Sequence, residues 1–449
     1  YMSDNHQQTT LSSPQGEVTE LQDIDWTFKG ADTQKYTHGL HSYPARMVPQ
    51  IPSQILSFYK RKGVIDSEDT VYDPFSGSGT TAVEARLHDL NAIANDINPF
   101  AVMLTKAKAN PLDRKRLRMA RDAILEDLTA DLRGVREEFK QHGEVDSLKM
   151  PDVREGWFPH PQLHELTLLR DKIDEIEQSF ERSIARFLRI ILSYTTRQVS
   201  YQRNGEFKRY RLSESDRESH DPNVEDIFKS KLKKNVDMML EYSEEVRHDL
   251  DTVTHYSDSR TAASLIGDNV ADIVITSPPY GDHSTTVAYG EFSRDPALLT
   301  GKVDSSEMRE VDKNGLGGKN EILEPMSELE NWSPALEATL ETLREKDGRS
   351  EDALNFFSDY YEVIKQTGRI AKSGQPVVWV VANRTMSRVN IPTHLITREL
   401  CENLGYDFEV TLPREIPNKT LPWENAPENV EGVKGDMMAN ENLVVVRAP

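Results

Sequence analysis

The sequence predicts an α/β protein, a mostly parallel sheet with a largely α-helical domain inserted into it. Three observations predict this. Val71-Tyr72-Asp73-Pro74-Phe75-Ser76-Gly77-Ser78-Gly79-Thr80-Thr81, followed by Ala82-Val83-Glu84-Ala85-Arg86, reads as strand, glycine-rich turn and helix. Short apolar runs closing on a polar residue recur at Ala92-Ile93-Ala94-Asn95-Asp96, Ala271-Asp272-Ile273-Val274-Ile275-Thr276 and Pro376-Val377-Val378-Trp379-Val380-Val381-Ala382-Asn383, as buried parallel strands do. Between the second strand and a third near residue 253, helical periodicity dominates, as in Leu163 to Ile176 and Phe187-Leu188-Arg189-Ile190-Ile191-Leu192.

Taken in order, residues 1–34 form a polar N-terminal segment, with 2–24 expected to be loose. The glycine turn comes next. Glycines let backbone approach a ligand, and the first turn of the following helix offers unpaired N–H groups. The turn lacks the Lys-Ser/Thr ending of a phosphate loop and the third glycine of a dinucleotide fingerprint, which disfavours phosphate binding. Asp96 follows about 20 residues later, where the second strand of a Rossmann-like unit sets a carboxylate against ribose hydroxyls. Residues 35–106 and 252–449 are therefore read as one α/β domain, and 107–251 as a helical insertion. A second insertion, 295–350, is acidic and reads as a surface loop. Asp407 to Leu412 and Asn442 to Arg447 read as a closing pair of strands.

The fourth strand runs into Ser277-Pro278-Pro279-Tyr280. Proline has no N–H and fixes φ, so carbonyls in this turn are released from the ladder and can accept from a ligand. A hydroxyl, a free carbonyl and an aromatic face side by side suit an exocyclic amine on a flat ring.

With these motifs the chain resembles the S-adenosylmethionine-dependent amino-methyltransferases of DNA that carry a Ser-Pro-Pro-Tyr motif, of cytosine-N4 or adenine-N6 type. The resemblance implies a Rossmann-like class I methyltransferase sheet with S-adenosyl-L-methionine as cofactor. It assigns Asp73, Pro74, Phe75, Ser76, Gly77, Ser78, Gly79, Thr80 and Thr81 to the cofactor turn, Asp96 and Ile97 to the ribose side, and Asp258 to the adenine end. His41, Tyr43, Pro44 and Ala45 fall in the segment that closes over the methionine end. Ser277, Pro278, Pro279 and Tyr280 become the catalytic motif. Duplex DNA with a flipped target base is the implied substrate, because a paired amino group is otherwise engaged. Among family members, Ser at the first motif position goes mostly with cytosine and Asp mostly with adenine, so cytosine N4 is favoured. Adenine N6, the tRNA guanine amino group and a non-catalytic cofactor-binding module remain alternatives. A cognate restriction endonuclease or another modification subunit is a further implied partner.

Composition narrows the chemistry. The single cysteine, Cys401, lies in an amphipathic stretch and excludes both a disulfide framework and a thiolate attack on a ring carbon. A reducing compartment, the cytoplasm, follows as the expectation. No apolar run reaches the length of a membrane span, and no metal-ligand cluster is evident. The formal net charge of −21 requires that any DNA contact use local basic stripes. The best of these runs from Arg197 to Arg211, where basic residues alternate with aromatics and amides. Arg197, Arg203, Lys208 and Arg211 are its candidate contacts, with Tyr289 and Arg294 near the catalytic motif. Asp282 and His283 are candidate proton shuttles.

Overall fold

A computed structural model describes residues 14–203, 210–281, 287–318, 326–346, 349–416 and 440–449. Its centre is a seven-stranded sheet. The strands in chain order are β1 (Thr70–Asp73), β2 (Asn91–Asp96), β3 (Thr252–Tyr256), β4 (Ile273–Thr276) and β5 (Pro376–Ala382), then a small hairpin of β6 (Arg384–Met386) and β7 (Val389–Ile391), and finally β8 (Asp407–Glu415) and β9 (Asn440–Arg447). The sheet order is β3-β2-β1-β4-β5-β9-β8, and the hairpin stands apart from it. β1 to β5 pair in parallel, whereas β9 runs antiparallel between β5 and β8. This is the Rossmann-like α/β sheet that the strand spacing predicts. The order reverses between β1 and β4, and the carboxyl ends splay apart at such a point to leave a ligand crevice.

Period-two alternation divides the sheet between two apolar layers. Val71, Ile273, Ile275, Val378 and Val380 face one core. Tyr72, Val274, Val377, Trp379 and Val381 face the other, against the helix Ser350–Ile370 and the helix Thr393–Asn403, which buries Cys401.

The region 107–251 is helical, with Arg114–Leu125, Leu128–His142, His160–Ser179, Arg182–Val199, Glu214–Ser219 and Val224–Glu245. Phe187, Leu188, Ile190 and Ile191 are fully buried, and they share one apolar core with the sheet. The insertion is thus an added layer on one face of the sheet.

Two expectations change. The segment read as loose includes the helix Pro14–Gln22, in which Leu21 is buried, and just beyond the segment Trp26 is buried too. Their anchor is distant in sequence, since Arg414 on β8 donates from Nε to the Trp26 carbonyl at 2.9 Å. The acidic stretch 295–350 is mostly helix rather than loop, with Ser305–Asn314, Leu329–Trp332 and Pro334–Glu345 burying Met308, Leu336, Leu340 and Leu343. Apart from Asp295 and Asp312, its charges lie mostly on the outer face of amphipathic helices, and that face dominated the composition. Among the described residues no helix is long and apolar enough to cross a membrane.

Candidate active site

The crevice forms where β1 and β4 end. Gly77 and Gly79 take positive φ of 49° and 85°, and Gly79 caps the helix Thr80–Leu87. A Cβ on Gly79 would stand 2.9 Å from the Thr105 Cα, so the turn lies directly on the helix Pro99–Ala109. The Gly77 N–H donates to Asp96 Oδ2 at 2.8 Å, and the Asn98 N–H donates to Asp96 Oδ1 at 2.8 Å. Burial pushes the Asp96 carboxyl up to about 6 against the pull of these N–H groups. With the Ile97 N–H also directed at it, the carboxylate still keeps acceptor capacity for a ligand hydroxyl.

One side of the cleft is built by Tyr43, Pro44, Ala45, Arg46 and Met47. The Tyr43 ring stacks on Tyr289 with centroids 5.7 Å apart, and Asn98 Nδ2 donates both to Tyr43 Oη at 3.1 Å and to Ser293 Oγ at 3.0 Å. Phe75, Ser76, Ser78, Thr80 and Ile97 continue the lining beside Gly77 and Asp96. Asp258 stands in the same cleft and is chelated by the buried Arg260, which also reaches Asp359 and the Asn314 carbonyl.

Ser277, Pro279 and Gly281 close the cleft on the β4 side. Thr276 Oγ1 donates to Asp73 Oδ1 at 2.6 Å, which joins the glycine turn to the tetrapeptide. Asp73 is buried, and desolvation pushes its carboxyl up to about 6. Pro278 is buried behind the turn. Tyr280 Oη donates to Glu441 Oε1 at 2.7 Å, and burial with the neighbouring Glu441 charge holds its phenol well above the ordinary range. The whole cleft encloses about 1050 Å³ including open solvent.

Several expected residues stand elsewhere. His41 is buried between Phe100 and Tyr194, with Nδ1 at 2.6 Å from the Ser42 carbonyl and desolvation pushing it down to about 3. It is not among the cleft walls. Pro74, Gly79 and Thr81 support the turn from behind, Pro74 accepting from Ser259 Oγ at 2.6 Å and Thr81 donating to the Ile275 carbonyl at 3.3 Å. Arg197 is 6% exposed and its guanidinium lies 4.0 Å from the Phe292 ring centroid, so it is a core side chain and not a surface contact. Arg203 and Arg211 are exposed, on the paired segments joined by the Gln202–Arg211 bridge. Arg294 is half-buried, and Tyr289 belongs to the cleft wall. Lys208, Asp282 and His283 lie outside the described residues. Among the described residues no group of three His, Cys, Asp or Glu side chains is placed to hold a metal.

Sequence reasoning missed Asn98, Asp312 and Leu316. Asp312 accepts from the Gly290 and Glu291 N–H groups at 2.8 and 3.0 Å, fixing the start of the helix Tyr289–Leu298 and with it Tyr289. Its helix carried a legible signal, Asp304-Ser305-Ser306-Glu307, which forms a capping box.

A half-buried acid with acceptor capacity toward the cleft, small residues at a close approach, apolar walls at Phe75, Ile97 and Leu316 and a second acid at Asp258 together fit S-adenosylmethionine. Sheet and cleft define an S-adenosylmethionine-dependent methyltransferase. A family model described as D12 class N6 adenine-specific DNA methyltransferase matches residues 47–335. The Type II methyltransferase M.MvaI of Kocuria varians is 32% identical over 432 residues, spanning 94% of this chain and 93% of that protein. The chain belongs to this family of DNA amino-methyltransferases. The Type II methyltransferase M.MjaII of Methanocaldococcus jannaschii is 33% identical over 84 residues, 19% of this chain and 15% of that protein. A solved structure of the rRNA methyltransferase aviRa from Streptomyces viridochromogenes is 11% identical, with 91% of this chain and 89% of that one covered, at a TM-score of 0.30, too low to bear on fold or function.

Proposed function

We propose that this DNA methyltransferase modifies the exocyclic N4 amine of cytosine, flipped out of a duplex into the cleft beside Ser277. The observation that carries this reading is a neutral hydroxyl, Ser277, at the acceptor position of a cleft that also contains Asp96 and Asp258. Ser277 Oγ and the Pro278 carbonyl accept the two amine hydrogens, which turns the nitrogen lone pair toward the donor, and Tyr280 holds the ring plane. The small, uncharged serine leaves room for a pyrimidine and places no carboxylate against its ring nitrogen. S-adenosylmethionine, when bound, supplies a methyl already activated on a sulfonium. The protein contributes alignment and exclusion of water, which together account for much of the acceleration in such displacements.

The cofactor assignments take the same form. Asp96 receives the ribose hydroxyls, Asp258 the adenine amine, and Tyr43 to Ala45 cover the methionine end. The insertion 107–251 is the target-recognition region. Its helix Val224–Glu245 supports this, because Lys231 Nζ and Asn235 Nδ2 both donate at 3.1 Å to the carbonyls of Gly39 and Leu40, a few residues before the cleft wall. The Type II designation of the relatives supports pairing with a cognate restriction endonuclease.

Adenine N6 is the second reading, favoured by the description of the matching family. Labelled S-adenosylmethionine should be incubated with duplex DNA, single-stranded DNA and tRNA, and the products digested to nucleosides. N4-methylcytosine in duplex DNA is expected. N6-methyladenine would replace the cytosine reading with the adenine one, and label confined to tRNA would remove DNA as the substrate.

A further inference from the structure

Tyr280 is the start of a polar chain that leaves the cleft. Its hydroxyl donates to Glu441 Oε1 at 2.7 Å, and the neighbouring Ser277 hydroxyl eases its ionisation. Glu441 is the second residue of β9, directly across from Arg414 in the β8–β9 register. The other Glu441 oxygen pairs with Arg414 Nη1, and Arg414 is buried, with Nε on the Trp26 carbonyl. The Glu441 side chain is 13% exposed, which gives it an outlet to solvent that Ser277 in a closed complex would lack.

The order of these groups matters. Ser277 lines the cleft, Tyr280 stands beside it and Glu441 beyond, so a proton entering at Ser277 Oγ can be handed outward. We propose that Glu441 is the terminal acceptor of the proton shed by the target amine, delivered through Ser277 and Tyr280. This rests on the amine-methylation reading and holds for cytosine or adenine alike. As the N–C bond forms and the donor's C–S bond breaks with its electron pair going to sulfur, the amine nitrogen becomes cationic. An N–H bond then gives its electron pair back to nitrogen. Its proton goes to Ser277 Oγ, the Ser277 proton to Tyr280 Oη, and the Tyr280 proton to the Glu441 carboxylate, which releases it to water. Tyr280 never becomes an anion, because it gains one proton as it loses another. That is the only route open to a phenol whose ionisation burial and the adjacent Glu441, with Tyr289 nearby, disfavour.

Glu441→Gln keeps an acceptor for the Tyr280 hydroxyl but removes the basic oxygen. The wild-type product is first identified as a methylated exocyclic amine, and failure at that step would remove the amine reading itself and not only the relay. Single-turnover methylation by Glu441→Gln is then expected to fall at least ten-fold, with cofactor affinity by calorimetry unchanged. Tyr280→Phe, which retains the stacking ring, should show a comparable loss, and it serves if Glu441→Gln folds poorly. An independent readout needs no turnover. With 3-fluorotyrosine incorporated at position 280, the fluorine resonance should titrate at a lower pH in Glu441→Gln than in the otherwise wild-type protein. Wild-type single-turnover rates in both variants, or an unmoved fluorine titration, would overturn the proposal.

Discussion

Asp73 and Thr276 end adjacent strands and are joined by a 2.6 Å hydrogen bond, which makes one rigid unit of the glycine turn and the tetrapeptide. The carboxylate is buried, so its hydroxyl partner cannot be replaced by water without rearrangement. Thr276→Val keeps the shape of the side chain and removes the donor. It should cost about 1.5–3 kcal/mol of stability, the usual worth of a hydrogen bond to a charged group, with Asp73 Oδ1 left on the Phe75 N–H at 3.0 Å. Thermal unfolding of the variant, compared with wild type at pH 7.5, measures it, and an unchanged melting temperature would deny the bond its structural role.

Asp96 and Asp73 both have carboxyls pushed up to about 6, from an ordinary 3.8. Between these two values the folded protein binds more protons than the unfolded chain, so these groups make stability fall, not rise, as pH increases through that window. Cofactor binding should show the opposite trend. Ribose hydroxyls donate to an ionised Asp96, so affinity should weaken by up to about ten-fold per pH unit below 6. Calorimetric titration from pH 5 to 8 tests this. A flat affinity profile would mean that Asp96 is ionised throughout or does not meet the ribose.

The parts of the site that were legible in the sequence are those with local causes. A glycine turn announces itself because positive φ at Gly77 and Gly79 excludes most other residues, and Ser277 to Tyr280 because proline dictates its own geometry. Contacts that close the site over long separations had no such trace. Tyr280 and Glu441 are 161 residues apart, and Arg414 and Trp26 are 388 apart. Neither partner has a distinctive neighbourhood. Arg197 was misread for a different reason. Alternating basic and aromatic residues describe a nucleic-acid surface, but they equally describe a guanidinium packed on Phe292 inside a protein.

Gly79 is irreplaceable on two independent counts. Its φ is 85°, and an added Cβ would press on the Thr105 backbone at 2.9 Å, which cannot swing aside as a side chain would. Gly79→Ala should therefore destabilise the protein by about 1–3 kcal/mol and lower cofactor affinity by displacing the turn. Gly30→Ala, also at positive φ but with no atom within 4 Å of the new Cβ, should cost less and leave cofactor binding alone. Parallel denaturant melts and cofactor titrations of the two variants separate strain from collision, and equal losses would show that the Thr105 contact is inconsequential.

Arg197 and Arg211 stand in the same basic stretch and should behave oppositely on mutation. Arg197 is buried against Phe292, so Arg197→Ala removes packing and should lower stability by about 1–2 kcal/mol. It makes no surface contact, and the salt dependence of DNA binding should be unaltered. Arg211 is exposed, with one guanidinium nitrogen 3.2 Å from the Gly156 carbonyl. If the 107–251 region meets the DNA backbone there, Arg211→Ala should reduce the slope of log affinity against log salt by about 1 while leaving the melting temperature nearly unchanged. Arg203, exposed on the opposing segment, should do the same. Binding isotherms at several salt concentrations decide the matter. A slope that drops with Arg197→Ala and holds with Arg211→Ala and Arg203→Ala would place the DNA on another face of the insertion.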